Sequence, residues 1–433
     1  MQYYIPEWDD LVSSKYDYWN DVELPNSKKV YAHEIYPKPN YDGILVSRMK
    51  IEESKSKIEK IKKVGVHKFF RFEGPIFGDC GAWGYINEKN PPFETKDMLS
   101  YYETLGFNIG VSIDHLCIPQ VKSEWYYRQE LTLKNAEQFF NLYENGNYSF
   151  KAVGAAQGWD LESYRYAVQE LLDIGYDFIA LGGLARAQTS VIIKILKNIQ
   201  DLIEGKKIKI HLFGAARLDG LRAFNNLGVT SFDSASPLRN AWLGSKKNYR
   251  GLDWKGYTAI RLPFLSRTKK YQQLVEKGLF SIKELEEFEK SIYALLRRYE
   301  IEKTRSPEEI IEAFEMLNQT FTLRDDLKED YKETLSERPW EKCPCPVCKE
   351  AGMDVIIFRG NNRNRRRGFH NTFVFYQLMQ KILKDTNFEG TPYLKLVHEK
   401  DFSIPIQRQT KKIKSKINKQ TKIENFFEQI DEE

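Results

Sequence analysis

Asp233 sits in Ser231-Phe232-Asp233-Ser234-Ala235-Ser236-Pro237-Leu238-Arg239, at the end of a short apolar run and before small residues, a proline and a basic side chain. That is the pattern of a strand running into a functional loop, and an acid at a strand's carboxyl end is well placed for chemistry in a strand–helix barrel. A carboxylate there can act as a nucleophile; the competing reading is a turn aspartate that caps the next segment. Asp114 ends a similar run, Asn108-Ile109-Gly110-Val111-Ser112-Ile113-Asp114, and Asp79 opens Asp79-Cys80-Gly81-Ala82-Trp83-Gly84.

A second cluster points to a metal. Cys343-Pro344-Cys345-Pro346-Val347-Cys348 is followed by His370. Three thiolates and one imidazole close a tetrahedral zinc shell with no open position, so the expected Zn2+ is structural. Between them lies Arg359-Gly360-Asn361-Asn362-Arg363-Asn364-Arg365-Arg366-Arg367-Gly368, a basic run without an acid. Arginine forks suit phosphate oxygens, so Arg359, Arg363, Arg365, Arg366 and Arg367 are expected to contact nucleic acid, together with Arg239. A merely solvated charge run is the alternative.

These residues need a scaffold. Short apolar runs, namely 43–47, 67–72, 108–114, 150–158, 178–185, 209–214 and the one ending at Asp233, alternate with helical stretches near 52–63, 95–105, 160–172, 190–203 and 219–227. This rhythm predicts parallel βαβ units and fits a (β/α)₈ TIM barrel over residues 41–270, because the glycine fingerprint of a dinucleotide-binding sheet is missing. Residues 1–40 read as an irregular lead-in. Residues 271–338 read as a helical insertion, with capping boxes at Ser281-Ile282-Lys283-Glu284 and Ser306-Pro307-Glu308-Glu309. Residues 339–400 form the zinc-binding subdomain with elements that close the barrel.

Residues 401–433 read as a basic, flexible tail, with six lysines and no acid between Lys411 and Lys422. Gln420, Ile423, Phe426 and Phe427 have the Q-x-x-I-x-x-F-F spacing of a sliding-clamp interaction box, in which one helical turn plugs an apolar pocket; a terminal helix docking on its own protein is the alternative. The 433 residues carry a modest net charge of +5. No run approaches the roughly 18 apolar residues of a membrane span, the first residues do not read as a signal peptide, and the crowded cysteines argue against a disulfide framework. A soluble, cytoplasmic protein is expected.

Taken together these motifs resemble the tRNA-guanine transglycosylase superfamily, over roughly residues 43–262 and 340–382. Gly78-Asp79-Cys80-Gly81-Ala82-Trp83 looks like its D-S-G-G-[FY] segment, and Gln157-Gly158 like its V-Q-G. Gly182-Gly183-Leu184-Ala185 looks like G-G-L-A, and Phe232-Asp233 with Pro237 and Arg239 like F-D-x-x-x-P-[TL]-R; the C-x-C-x-x-C…H site closes the match. The resemblance implies a pentosyltransferase in which Asp233 displaces guanine to form a glycosyl-enzyme. Asp79 would protonate the leaving base and later deprotonate the incoming one, as double displacement requires. It also implies that Asp114, Gln157, Gly183, Leu184 and Gly214 line and read the base, with Trp83 and Phe213 stacked on its faces.

Some positions depart from the tRNA enzymes: Ala82, Gly84, His115-Leu116-Cys117 and the arginine run. With the clamp-like tail they resemble the DNA-directed branch, which inserts 7-deazaguanine bases such as 7-cyano-7-deazaguanine into DNA. The alternatives are a tRNA-guanine transglycosylase of the queuosine or archaeosine type and a non-catalytic nucleic-acid-binding subunit.

Overall fold

The computed structural model describes residues 1–321 and 327–403. Eight strands close into a parallel barrel: β1 (Gln2–Pro6), β2 (Gly43–Ser47), β3 (Ile76–Asp79), β4 (Ile109–Val111), β5 (Lys151–Ala156), β6 (Phe178–Leu181), β7 (Lys209–Leu212) and β8 (Val229–Asp233). Each strand pairs with the next, and β1 closes the ring between β8 (Tyr3 opposite Phe232) and β2 (Ile5 opposite Ile44). Alternation of side chains along each strand sorts two cores. Tyr4, Leu45, Phe77, Val111, Val153, Ala155, Phe178 and Ala180 fill the interior, while the opposite faces pack against the surrounding helices.

Helices follow the strands as βαβ units demand, among them Thr95–Leu105, Trp125–Glu144, Leu161–Ile174, Thr189–Ile203, Leu221–Asn226 and Ser236–Leu243. Asp160 caps the helix that starts at Leu161, accepting from the Ser163 amide while the Ser163 hydroxyl reaches back to the backbone.

Two expectations fail here. The lead-in contains the first barrel strand, so the barrel begins at residue 2 and is closed by the N-terminal strand, with no closing strand from 339–400 among the described residues. The run Gln2-Tyr3-Tyr4-Ile5-Pro6 is too short and aromatic to show alternation, yet Tyr3 and Tyr4 are buried. The expected strand at 67–72 is the end of a helix, Lys55–Phe70, which breaks at Gly65 and stops at Arg71 in a left-handed conformation. Its aromatic residues mimic a buried strand, but Val66 and Phe70 face the core at helical spacing; the strand itself starts at Ile76.

The 271–338 region is helical, with Ile282–Ile301, Glu308–Phe321 and Lys328–Glu337 following Lys269–Glu276. Ser281 and Glu284 form the expected capping box; Ser306 sits just ahead of the next helix, its hydroxyl 3.4 Å from the Glu308 amide. A long helix, Gly360–Lys384, then packs along Ser236–Leu243.

That long helix overturns the phosphate-contact reading of the arginine run. Arg363, Arg366 and Arg367 lie at i, i+3 and i+4, on one face, and that face is buried. Arg363 pairs with Asp354 at 2.8 Å and with Asp21. Arg366 pairs with Glu350 at 2.8 Å and donates to the Ser13 carbonyl at 2.9 Å. Arg367 donates to the carbonyls of Ala241, Val355 and Ile357; burial, then Arg261, pull it down to about 9. Arg359 pairs with Asp21 and Glu289, and the less buried Arg365 donates to the Leu11 carbonyl near Asp10. The run is an internal tie between the N-terminal segment and the C-terminal helix. Removing one partner of a buried ion pair strands the other, so Arg363→Ala should cost about 3–5 kcal/mol in urea unfolding. Arg365→Ala, in a longer and less buried pair, should cost less, about 1 kcal/mol.

Candidate active site

The carboxyl ends of the strands open into one cavity of about 820 Å³, lined among others by Asp79, Asp114, Gln157, Gly183, Phe213, Gly214, Asp233 and Arg239. The barrel delivers them there because Asp79 is the last residue of β3, Asp233 the last of β8, and Asp114, Gln157 and Gly214 lie just beyond β4, β5 and β7.

Asp79 lies deep in this cavity. Burial, then the charges of Asp114 and Asp233, push its carboxyl up to about 8 against the opposing amides of Gly81 and Cys80. It therefore keeps its proton at neutral pH. Asp114 is also raised, chiefly by burial, and is held from two sides: the Cys80 thiol donates to Oδ1 at 3.0 Å and the Gln157 amide to Oδ2. Gln157 is buried, and its Oε1 has no partner among the described residues. An acceptor in that state at a cavity wall suits an N–H donor on a ligand.

Asp233 is almost enclosed, and its Oδ1 accepts from the Gly214 amide at 3.0 Å and from His211 Nε2 at 3.2 Å. Gly214 thus contacts the acid as well as lining the cavity. Its φ is +70°, and a Cβ at this position would lie 2.8 Å from Ala185 Cβ, so only glycine fits. Gly183 also has positive φ, +75°, and leaves the wall open. Leu184 differs from the others: its side chain is buried in the core and does not line the cavity.

Trp83, half-exposed, and Phe213 both line the cavity. Residues that sequence reasoning missed complete its mouth. Trp8, from the loop after β1, holds its ring 4.1 Å from the Arg239 guanidinium, and Arg250 lies 4.7 Å over Trp254. Trp8 was hidden because its strand was not recognised; an exposed tryptophan two residues past a barrel strand is the signal that could have found it.

The four metal-ligand candidates converge away from the cavity. The sulfurs of Cys343, Cys345 and Cys348 lie 3.4, 3.6 and 3.2 Å from His370 Nδ1, separations that match the edges of a tetrahedron with ordinary metal–sulfur and metal–nitrogen lengths. His370 Nε2 donates to the Arg250 carbonyl at 2.7 Å and its ring stacks on Tyr249, fixing the tautomer that presents Nδ1. The cluster can hold a metal ion. The clamp-box residues Gln420, Ile423, Phe426 and Phe427 lie outside the described residues.

A family model described as queuine tRNA-ribosyltransferase matches residues 25–386, a range that spans the cavity and the Cys₃His knob. The chain belongs to this family and is an enzyme of the guanine transglycosylase class. It is 34% identical to a DNA-guanine transglycosylase of Salmonella montevideo, over 88% of this chain and 97% of that protein. A tRNA-guanine(15) transglycosylase of Nanoarchaeum equitans is 28% identical over 41% of this chain and 43% of that protein. A queuine tRNA-ribosyltransferase of Buchnera aphidicola is 29% identical over 42% and 56%. No helix among the described residues is long and apolar enough to cross a membrane.

Proposed function

We propose that this enzyme exchanges guanine in DNA for a 7-deazaguanine base such as 7-cyano-7-deazaguanine. The observation that carries the chemistry is the pairing, in one cavity, of a carboxyl that keeps its proton at neutral pH, Asp79, with the hydrogen-bonded carboxylate position of Asp233. Asp233 attacks C1′ of the target nucleotide and the guanine leaves with the Asp79 proton. The incoming base then gives a proton back to Asp79 as it displaces the enzyme. Trp83 and Phe213 sandwich the base, Asp114 and Gln157 read its edge, and Arg239 with Trp8 receives the strand at the mouth. A target base must leave the duplex to reach this depth, so the pocket has to repay lost stacking. The near full-length match to a DNA-guanine transglycosylase supports DNA as the polymer.

Zn2+ fits the donor set of Cys343, Cys345, Cys348 and His370 and would serve there as a structural cross-link. A tail that binds a sliding clamp through Gln420, Ile423, Phe426 and Phe427 remains part of this reading. A cytoplasmic location accords with it.

Labelled 7-cyano-7-deazaguanine offered with duplex DNA and with tRNA tests the substrate. Label should enter DNA, and incorporation into tRNA alone overturns the DNA reading. The acid has its own signature. Free enzyme needs the Asp79 proton, so kcat/KM for the polymer should fall as pH rises through about 8. Asp79→Asn should lower turnover by about 10²–10⁴-fold and flatten that limb; a wild-type profile in the variant would assign the proton to another group.

A further inference from the structure

We propose that His211 is a positioning residue that, with the Gly214 amide, reserves one oxygen of Asp233 for holding and leaves the other for attack. This rests on the reading of Asp233 as the nucleophile. His211 is fully buried on β7, with Nε2 3.2 Å from Asp233 Oδ1 and Nδ1 2.9 Å from the Ser231 hydroxyl. A carboxylate can only accept, so Nε2 carries a proton whether the ring is neutral or charged. The ring cannot swing away. Phe77 and Phe213 each lie 4.8 Å from its centroid, and Tyr4 closes a third side at 6.0 Å.

The Gly214 amide reaches the same oxygen. Among the described residues both donors meet Oδ1 and none meets Oδ2, so Oδ2 keeps its lone pairs for C1′. In the first step the Oδ2–C1′ bond forms and the C1′–N9 bond breaks; its electron pair goes to the departing guanine, which takes the Asp79 proton. Oδ1 becomes the carbonyl oxygen of the resulting ester. In the second step a nitrogen of the incoming base bonds to C1′ and passes its proton to Asp79, and the C1′–Oδ2 pair returns to the carboxylate. Negative charge then reappears on a group already facing two N–H donors. Preorganised donors at a site of developing charge lower the barrier, so His211 assists the release of the glycosyl-enzyme more than its formation.

The test is the balance between the two half-reactions. His211→Phe keeps the ring volume and removes the donor. Its turnover should fall about 10²-fold, with covalent enzyme–DNA adduct accumulating in the steady state on denaturing gels. His211→Gln, which places an N–H near the position of Nε2, should recover turnover to within about threefold of wild type and abolish the accumulation. His211→Leu serves as a second donor-free variant, and melting curves of all three establish that folded proteins are compared. Wild-type turnover in the Phe and Leu variants overturns the proposal. So does equal loss in Phe, Leu and Gln variants without adduct, which would mark a packing role. Absence of exchange and adduct in the wild-type protein instead overturns the reading of the nucleophile itself.

Discussion

Asp233→Asn is expected to abolish guanine exchange, with turnover reduced by about 10³-fold or more. The substitution preserves shape: its side-chain oxygen can still accept from the Gly214 amide and from His211. What would disappear is the oxygen proposed to attack C1′, and no other carboxylate of the cavity is placed to replace it. Asp79 holds its proton at neutral pH and Asp114 is engaged by Cys80 and Gln157. Base binding should persist, because the residues proposed to read the base are untouched. Single-turnover assays with a denaturing gel decide the matter: neither product nor adduct should form. Activity within tenfold of wild type would falsify the assignment.

Stripping the metal, or making Cys345→Ser, is expected to have the largest effect on stability. Three candidate ligands lie at the start of the short helix Pro346–Ala351 and just before it, and the fourth, His370, lies in the middle of the long helix, so a bound ion would tie a small knob to a main structural element. Cys345 also caps the short helix Pro346–Ala351, accepting from the Cys348 amide. Metal binding energy in such sites is folding energy, and the melting temperature should drop by about 10 °C or more. Because the long helix packs on Ser236–Leu243, the element that carries Arg239 and follows Asp233, activity should fall in parallel. Melting curves with metal content by mass spectrometry test this; an unshifted transition in metal-free protein would remove the structural role.

Much of the scaffold was legible because six of the eight strands are short, mostly apolar runs flanked by glycines, two of them leading to Asp114 and Asp233. The metal cluster was legible from cysteine spacing alone. The misreadings have specific causes. The aromatic run at 67–72 carries the composition of a strand on the geometry of a helix. The arginines at 363, 366 and 367 looked like a solvent-facing patch because several of their partners, Asp21 and Ser13 among them, lie hundreds of positions away, where no local pattern reaches. His211 hid for the opposite reason: a histidine inside an apolar strand reads as core, and only the register of β7 against β8 places it beside Asp233.

The position of β1 sets the order in which this enzyme can become competent. During synthesis β1 is made before the other barrel strands, and β2 can cover one of its edges early; the other edge waits for Phe232. The N-terminal segment behind β1 waits longer still, for Arg363 and Arg366. The strand that ends at Asp233 is therefore an open edge until β1 docks against it, and long-range closure of this kind is slow. Asp233 is thus held in its final setting only once strands that are distant in sequence, β1 and β8, have paired.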